Sequence, residues 1–358
     1  MTDSCFKILV MADSRAFHTE RYVAELARQG CDVFLASLER GEMPHYQLKA
    51  RGPISKLHYL LGGTEVREVI AKYKPDVINP HYASGYGFMA ALAGARKHAP
   101  VVMHLWGSDI LIVPDKSIFH RRKVFYALAQ ADCVLADSQY LMDAAEQVTT
   151  VKKKAIIPWG MEKEFLKFHR TDYKLSHPLK IIVPRRHEKI YNNLFLVRAL
   201  APLINEGKIE VTFPDFGNLV GHFLVHARNL VGDKIKVYPK MSRADYLSFI
   251  SGFDVYLSSA LSDSSPASML EAMGLGLIPI AADIPGVREW LSEASGFLYE
   301  LHHAQQLNDI VTGLINRDDP HELMRRGNLR KVTEQALFED NVAKTIEIMR
   351  HLAAGTES

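Results

Sequence analysis

Cysteine is scarce in this 358-residue chain: Cys5, Cys31 and Cys133 are odd in number, widely spaced and form no C-x-x-C pair. That argues against a disulfide framework and a thiolate zinc site, and fits a reducing compartment. Long apolar runs are missing too. None approaches the roughly 18 residues that a membrane-spanning helix needs, so no segment is predicted to cross a bilayer. The formal net charge is only +2, far from the strongly basic profile of a nucleic-acid binder, so no nucleic-acid partner is expected. The charge is uneven, however. Residues 1–170 carry 23 Lys and Arg against 18 Asp and Glu, and the remainder 20 against 23, so the first half is better suited to an acidic partner. The start, Met1-Thr2-Asp3-Ser4, has no basic segment and no cleavable apolar stretch, which predicts a cytoplasmic protein.

What is present is a globular composition, 47% hydrophobic and 23% charged, enough for a packed core and long enough for two domains. Short apolar strands alternate with amphipathic helices. In the first half, strands are expected over 6–11, 32–37, 76–79, 101–105 and 132–136, and helices over 19–29, 64–73, 85–98 and 120–129. A polar stretch near 165–178 reads as a linker. Strands then follow over 180–183, 210–213, 235–238, 254–258 and 278–281, with helices over 193–203, 221–231, 243–251, 266–274, 304–316, 321–338 and 340–352. Near-continuous apolar strands separated by helices predict parallel sheets covered on both faces. The expected architecture is two doubly wound α/β domains facing across a cleft, over 1–168 and 175–338, with 339–358 returning to the first. In such sheets ligands bind beyond the carboxyl ends of the strands.

The most informative segment runs from Ser258 to Gly274. After a buried strand comes the polar loop Leu261-Ser262-Asp263-Ser264-Ser265, then Pro266 and a helix. Ser265 suits an N-cap and Pro266 the first helical position. The backbone N–H groups of Ala267 and Ser268 would then be left unpaired, a ready anion site. Glu271 lies one turn in, among Met269, Leu270 and Met273. A carboxylate there is costly unless it is paired or meets a ligand such as a ribose. The alternative is a capped helix with one exposed Glu.

The run D-S-S-P-A-S-M-L-E-A-M-G-L-G-L-I-P-I-A-A-D-I-P-G resembles the donor-binding motif of the retaining glycosyltransferases of family 4, which have the GT-B fold. That motif places two Glu eight positions apart; here the positions are Asp263 and Glu271. The resemblance implies that Glu271 holds the ribose of a nucleotide sugar, that the Ala267 and Ser268 N–H groups bind the diphosphate, and that position 263 contacts the donor sugar. Asp in place of the first Glu is one methylene shorter, so that contact would need a shifted sugar or a water.

A second match is Ile181-Ile182-Val183-Pro184-Arg185-Arg186-His187-Glu188-Lys189. The family carries an Arg and a Lys four or five residues apart here, implying that Arg185 and Lys189 neutralise the diphosphate, with Arg186 as the alternative to Arg185. A forked guanidinium beside an ammonium suits a phosphate leaving group. In the first half, the stretch from Pro100 to Asp109 resembles the family's H-x-x-x-D or H-G-S-D segment. The resemblance implies a catalytic His104 beside the anomeric carbon and a supporting Asp109. His81, after an earlier strand, resembles an acceptor-side residue, and Ile157-Pro158-Trp159-Gly160-Met161-Glu162 resembles the segment before the linker. The first loop, Ala12 to Thr19, lacks the family's usual Gly-Gly pair; Ser14, Arg15 and His18 are its candidates for the acceptor side.

These likenesses imply a metal-independent hexosyltransferase that needs no cofactor, with a nucleoside diphosphate sugar (UDP- or GDP-sugar) as co-substrate. The acceptor would be a glycan, lipid-linked or small-molecule hydroxyl, in cell-envelope glycan or glycolipid biosynthesis. A nucleotide-sugar 2-epimerase and a non-catalytic nucleotide-sugar binder are the alternatives. The basic clusters His120-Arg121-Arg122-Lys123 and Lys152-Lys153-Lys154 suit either a solvated face or peripheral contact with the inner face of a membrane.

Overall fold

The computed structural model describes residues 5–49, 62–317 and 319–355. The opening Met1-Thr2-Asp3-Ser4, on which the cytoplasmic expectation rested, lies outside them. In chain order the elements are β1 (Lys7–Met11), α1 (Phe17–Arg28), β2 (Asp32–Ser37), β3 (Tyr46–Gln47), α2 (Gly63–Tyr73), β4 (Val77–Pro80), α3 (Phe88–Ala93), β5 (Val102–His104), α4 (Ser108–Leu111), α5 (Ile118–Ala129), β6 (Cys133–Ala136), α6 (Gln139–Glu146) and β7 (Lys154–Ile156). There follow β8 (Leu179–Ile182), α7 (Asn193–Asn205), β9 (Ile209–Pro214), α8 (Val220–Val231), β10 (Lys236–Tyr238), α9 (Arg243–Ile250), β11 (Val255–Ser258), α10 (Ala267–Leu275), β12 (Ile278–Ala282), α11 (Pro285–Arg288), β13 (Phe297–Tyr299), α12 (Ala304–Arg317), α13 (Glu322–Gln335) and α14 (Phe338–Ala353).

The chain forms two compact units, Met1–Pro158 with Glu339–Ser358, and Trp159–Phe338. The first boundary therefore falls at 158, not between 168 and 175. The polar stretch expected to be a linker is part of the second unit, because Phe165, Leu166 and Phe168 beneath it pack into that unit's core.

In the first unit all strand pairs are parallel. The order β3-β2-β1-β4 continues, through single bridges Ile78↔Val101 and His81↔His104, into β5-β6-β7. The second unit has the parallel order β10-β9-β8-β11-β12-β13. Each order reverses once, between β1 and β4 and between β8 and β11. At such a switch point neighbouring loops leave in opposite directions and open a crevice.

Strand alternation divides the apolar side chains between two faces. In β8, Ile181 joins one core with Leu200, Val211 and Leu257. Ile182 joins the other with Tyr256, Met269 and Met273. Both faces are covered, so the strands read as apolar throughout. Each large side chain so buried contributes about 1.5–3 kcal/mol.

The helix expected over 85–98 is interrupted. A wide turn over Tyr82–Gly87 precedes α3, and Gly94 at φ +69° ends it. Gly87 leaves room for the Met103 side chain, whose Cε would lie 2.8 Å from a Cβ at this position. The short strands β3, β7 and β13 and the helix α6 were not foreseen.

Candidate functional site

In the second unit the loops after β8 and β11 meet at the switch point. Arg185 leaves β8 and its guanidinium forms an ion pair with Asp263, which follows β11. Burial lowers the Arg185 pKa, but Asp263 outweighs it and the net shift is upward. The guanidinium also stacks over the Tyr191 ring at 5.1 Å. Its Nε is buried and has no hydrogen-bond partner among the described residues. The backbone is held from beneath: Asn193 Nδ2 donates to the Arg185 carbonyl at 2.7 Å and lies 3.1 Å from His187 Nδ1. His187 is buried, stacks on Phe223 at 3.9 Å and has Nε2 2.7 Å from the Pro214 carbonyl. Burial lowers its pKa, so His187 is a neutral prop for the loop.

Helix α10 opens beside this pair. Pro266 occupies the N-cap position, one residue later than expected, and Ser265 does not cap. Its Oγ instead accepts a hydrogen bond from Trp290 Nε1 at 3.0 Å. The Ala267 and Ser268 N–H groups remain without a partner among the described residues, as the first N–H groups of a helix do. The Tyr256 hydroxyl lies 3.3 Å from Ser268 Oγ and interacts with Arg185, so it links the helix start to the guanidinium. Gly286 on α11 closes the loop from behind; a Cβ there would overlap the Ser264 and Asp263 carbonyls.

Glu271 is buried, and sequence reasoning missed what offsets its charge. Arg243, at the start of α9, places Nη2 2.7 Å from Glu271 Oε1 and 2.7 Å from Glu162 Oε2. Burial alone would lower the Arg243 pKa, but the two carboxylates raise it. Glu271 Oε2 makes no hydrogen bond among the described residues. The only available signal was that Arg243 follows a strand end, as Arg185 does.

The other basic candidates lie elsewhere. Arg186 is exposed and sits 3.8 Å from Glu188. Lys189 is exposed on a short turn. It borders a cavity of about 260 Å³ lined by His187, Asn193, Arg198 and His222 among others. Neither makes a hydrogen bond or ion pair with Asp263 or α10 among the described residues. At the helix start the cation paired with Asp263 is Arg185.

In the first unit the carboxyl ends of β4 and β5 bring His81 and His104 together, ring centroids 4.9 Å apart and both buried. Asn79 organises them. Its Nδ2 donates to the Val102 carbonyl at 2.5 Å and lies 3.1 Å from His104 Nδ1. Its Oδ1 accepts from the Tyr22 hydroxyl at 3.0 Å and lies 3.3 Å from His81 Nε2. Burial pushes the His104 pKa down to about 3, and burial with His104 nearby pushes that of His81 well below its usual value. Both rings are neutral near pH 7. Trp106 packs against His81 at 5.5 Å, and the exposed His18 against Trp106 at 5.3 Å.

Asp109 is fully buried and acts as a brace: its carboxylate accepts from the Ala83 N–H at 2.8 Å and the Trp106 N–H at 3.0 Å. Burial raises its pKa to about 6 against these bonds. Ser14 is buried and structural as well. Its Oγ donates to the Glu39 carbonyl at 2.7 Å and accepts from the Gly41 N–H at 2.8 Å. Arg15 is exposed and paired with Asp13 at 2.9 Å.

Residues 7–138 match the glycosyl transferase 4-like family and residues 224–331 the glycosyl transferases group 1 family. The chain belongs to the group 1 glycosyltransferases and has the GT-B fold. An uncharacterized glycosyltransferase of Methanocaldococcus jannaschii is 25% identical over 287 residues, 77% of this chain and 75% of that protein. Among solved structures, sucrose-phosphate synthase from Thermosynechococcus elongatus superimposes with a TM-score of 0.82 at 15% identity, over 98% of this chain and 100% of that one. Anabaena HepE in complex with UDP and glucose gives 0.80 at 16% identity, over 97% and 100%. No helix among the described residues is long and apolar enough to cross a membrane.

Proposed function

We propose that this glycosyltransferase takes its sugar from a nucleoside diphosphate sugar and transfers it to an acceptor hydroxyl with retention at the anomeric carbon. The observation that carries this reading is the pair of unpartnered N–H groups at Ala267 and Ser268, beside the Arg185 guanidinium and one turn from Glu271. A phosphate fits those amides, and the free Glu271 oxygen suits a ribose hydroxyl. That Anabaena HepE was solved with UDP and glucose supports a uridine nucleotide as the first to try.

In the reaction the bond from C1 to the diphosphate oxygen breaks and a bond from C1 to the acceptor oxygen forms on the same face. The acceptor proton passes to the departing diphosphate. Negative charge grows on that leaving group, and donors already aimed at it lower the barrier. Here these are the α10 amides and Arg185, so the chain's own groups supply the stabilisation. His104, kept neutral, takes the role of a hydrogen-bonding group near the anomeric carbon rather than a proton reservoir. Asp109 and Asn79 hold its surroundings in place.

The test is titration calorimetry with UDP, GDP and ADP, followed by hydrolysis of a panel of nucleotide sugars. Binding of one diphosphate and slow release of the α-anomeric sugar from an α-linked donor are expected. No binding of any diphosphate refutes the site. Conversion of the donor to its C2 epimer refutes transfer, and tight binding without turnover refutes catalysis.

A further inference from the structure

Helix α5 carries an apolar outer face that the glycosyl-transfer reading does not use. Val124, Ala127 and Leu128 are buried in the first unit's core with Met103 and Leu141. Phe125 turns outward and is 48% exposed. On the same outer surface Ile118 is 68% exposed, Phe119 59% and Tyr126 39%. A single exposed hydrophobe is ordinary; four on one twelve-residue helix form a patch, and patches mark contact surfaces.

The cations sit among these side chains. Arg122 is exposed and lies one helical turn from Ile118 and from Phe125 and Tyr126. Arg121, also exposed, flanks the patch and donates to the Gln147 carbonyl at 3.0 Å. Lys116 precedes the helix, and Asp115 is the only carboxylate between Ile110 and Ala131. The chemistry selects the occupant. A second copy docked on the same face would bring the arginines of both copies together, a like-charge contact. A surface that takes rings and aliphatic groups and carries negative charge suits every side chain of the patch.

We propose that α5 is a docking surface for a lipid bilayer containing anionic headgroups. Ile118, Phe119, Phe125 and Tyr126 enter the boundary between headgroups and acyl chains, and Arg121 and Arg122 lie against the phosphates. Membrane contact requires no donor or acceptor sugar, so the proposal stands apart from the catalytic reading.

The experiment is flotation of the full chain with phosphatidylcholine vesicles, with and without phosphatidylglycerol. Binding is expected only with phosphatidylglycerol, weakening as salt rises. Phe119→Ser with Phe125→Ser, and separately Arg121→Glu with Arg122→Glu, should each lower the partition coefficient about tenfold or more. Circular dichroism and UDP binding should not change. Ile118→Gln is the milder companion, expected to reduce binding even where a double variant fails to fold. Absence of binding, equal binding to both vesicle types, or indifference to all the variants overturns the proposal. So does concentration-dependent dimerisation that the phenylalanine variant abolishes, which would assign the face to a second copy.

Discussion

Asp263→Asn is expected to tighten nucleoside diphosphate binding while weakening the second unit's fold and slowing turnover. In the free chain the Asp263 carboxylate already occupies one arm of the Arg185 guanidinium, so an incoming diphosphate competes with it. A carboxylate about 7 Å from a phosphate repels it by about 2 kcal/mol at an effective dielectric near 20. Both side chains are partly solvated, at 14% and 18% exposure, which reduces this to about 1–2 kcal/mol, a five- to thirtyfold gain in UDP affinity. The cost falls on the free protein. A largely buried guanidinium left without its partner destabilises by about 3 kcal/mol. Calorimetry with UDP reads the first effect, and thermal melts with and without UDP read the second. The UDP-induced rise in melting temperature should be larger in the variant than in the parent. Hydrolysis of the nucleotide sugar should fall, because position 263 is also the group proposed to meet the donor sugar. A folded Asp263→Asn protein that binds UDP more weakly than the parent would refute the competition argument. Asp263 would then be a positioner of Arg185.

Glu271→Ala should weaken UDP binding about tenfold or more in calorimetry, through loss of a charge-assisted hydrogen bond. Ser268→Ala should leave it nearly unchanged, since the amide and not the hydroxyl is assigned to the phosphate. Gly286→Ala should abolish UDP binding, because its Cβ would push against the Asp263 and Ser264 carbonyls; unchanged affinity would show that the loop's position is immaterial. His104→Ala should spare UDP binding and cut turnover at least tenfold; equal loss of both would contradict its assigned role. The rings of His81 and His104, held neutral by burial, should show no imidazole titration by NMR between pH 5 and 8. Because the folded pKa is depressed, the unfolded chain binds more protons in acid. His104 therefore contributes stability that is complete above about pH 6.5 and lost as pH falls toward about 3, so denaturant midpoints should fall over that interval less steeply in His104→Gln.

Alternation of apolar strands and amphipathic helices made both sheets legible, because parallel strands covered on both faces leave a continuous apolar signature. The P-A-S-M-L-E run disclosed a helix start with unpaired N–H groups for a local reason: capping depends on neighbours in sequence. Partners joined only by the fold were hidden. Nothing local connects Arg243 with Glu271 and Glu162, or Arg185 with Asp263, although those pairs set the charge of the site. The Arg185/Lys189 expectation came from resemblance to the family's motif; Arg185 pairs with Asp263, while Lys189 opens the short turn Lys189–Tyr191 and is exposed. Ser14 and Asp109 are residue types that suit catalysis, but their hydrogen bonds are spent on backbone groups. Phe125 and its neighbours were obscured because α5 is apolar on its buried side as well.

The last helix has a consequence for how the molecule is made. Its Val342, Ile346 and Met349 are buried, Glu339 accepts a hydrogen bond from Gln29, and Arg350 lies over the Phe6 ring. On the ribosome, the strands of the first unit must therefore wait for α14, which is made after the second unit, while residues 159–338 between them emerge with all their own strands in hand. The later-synthesised unit is thus expected to mature ahead of the earlier one, and a nascent chain halted before Glu339 should expose an unfinished N-terminal unit to chaperones and proteases.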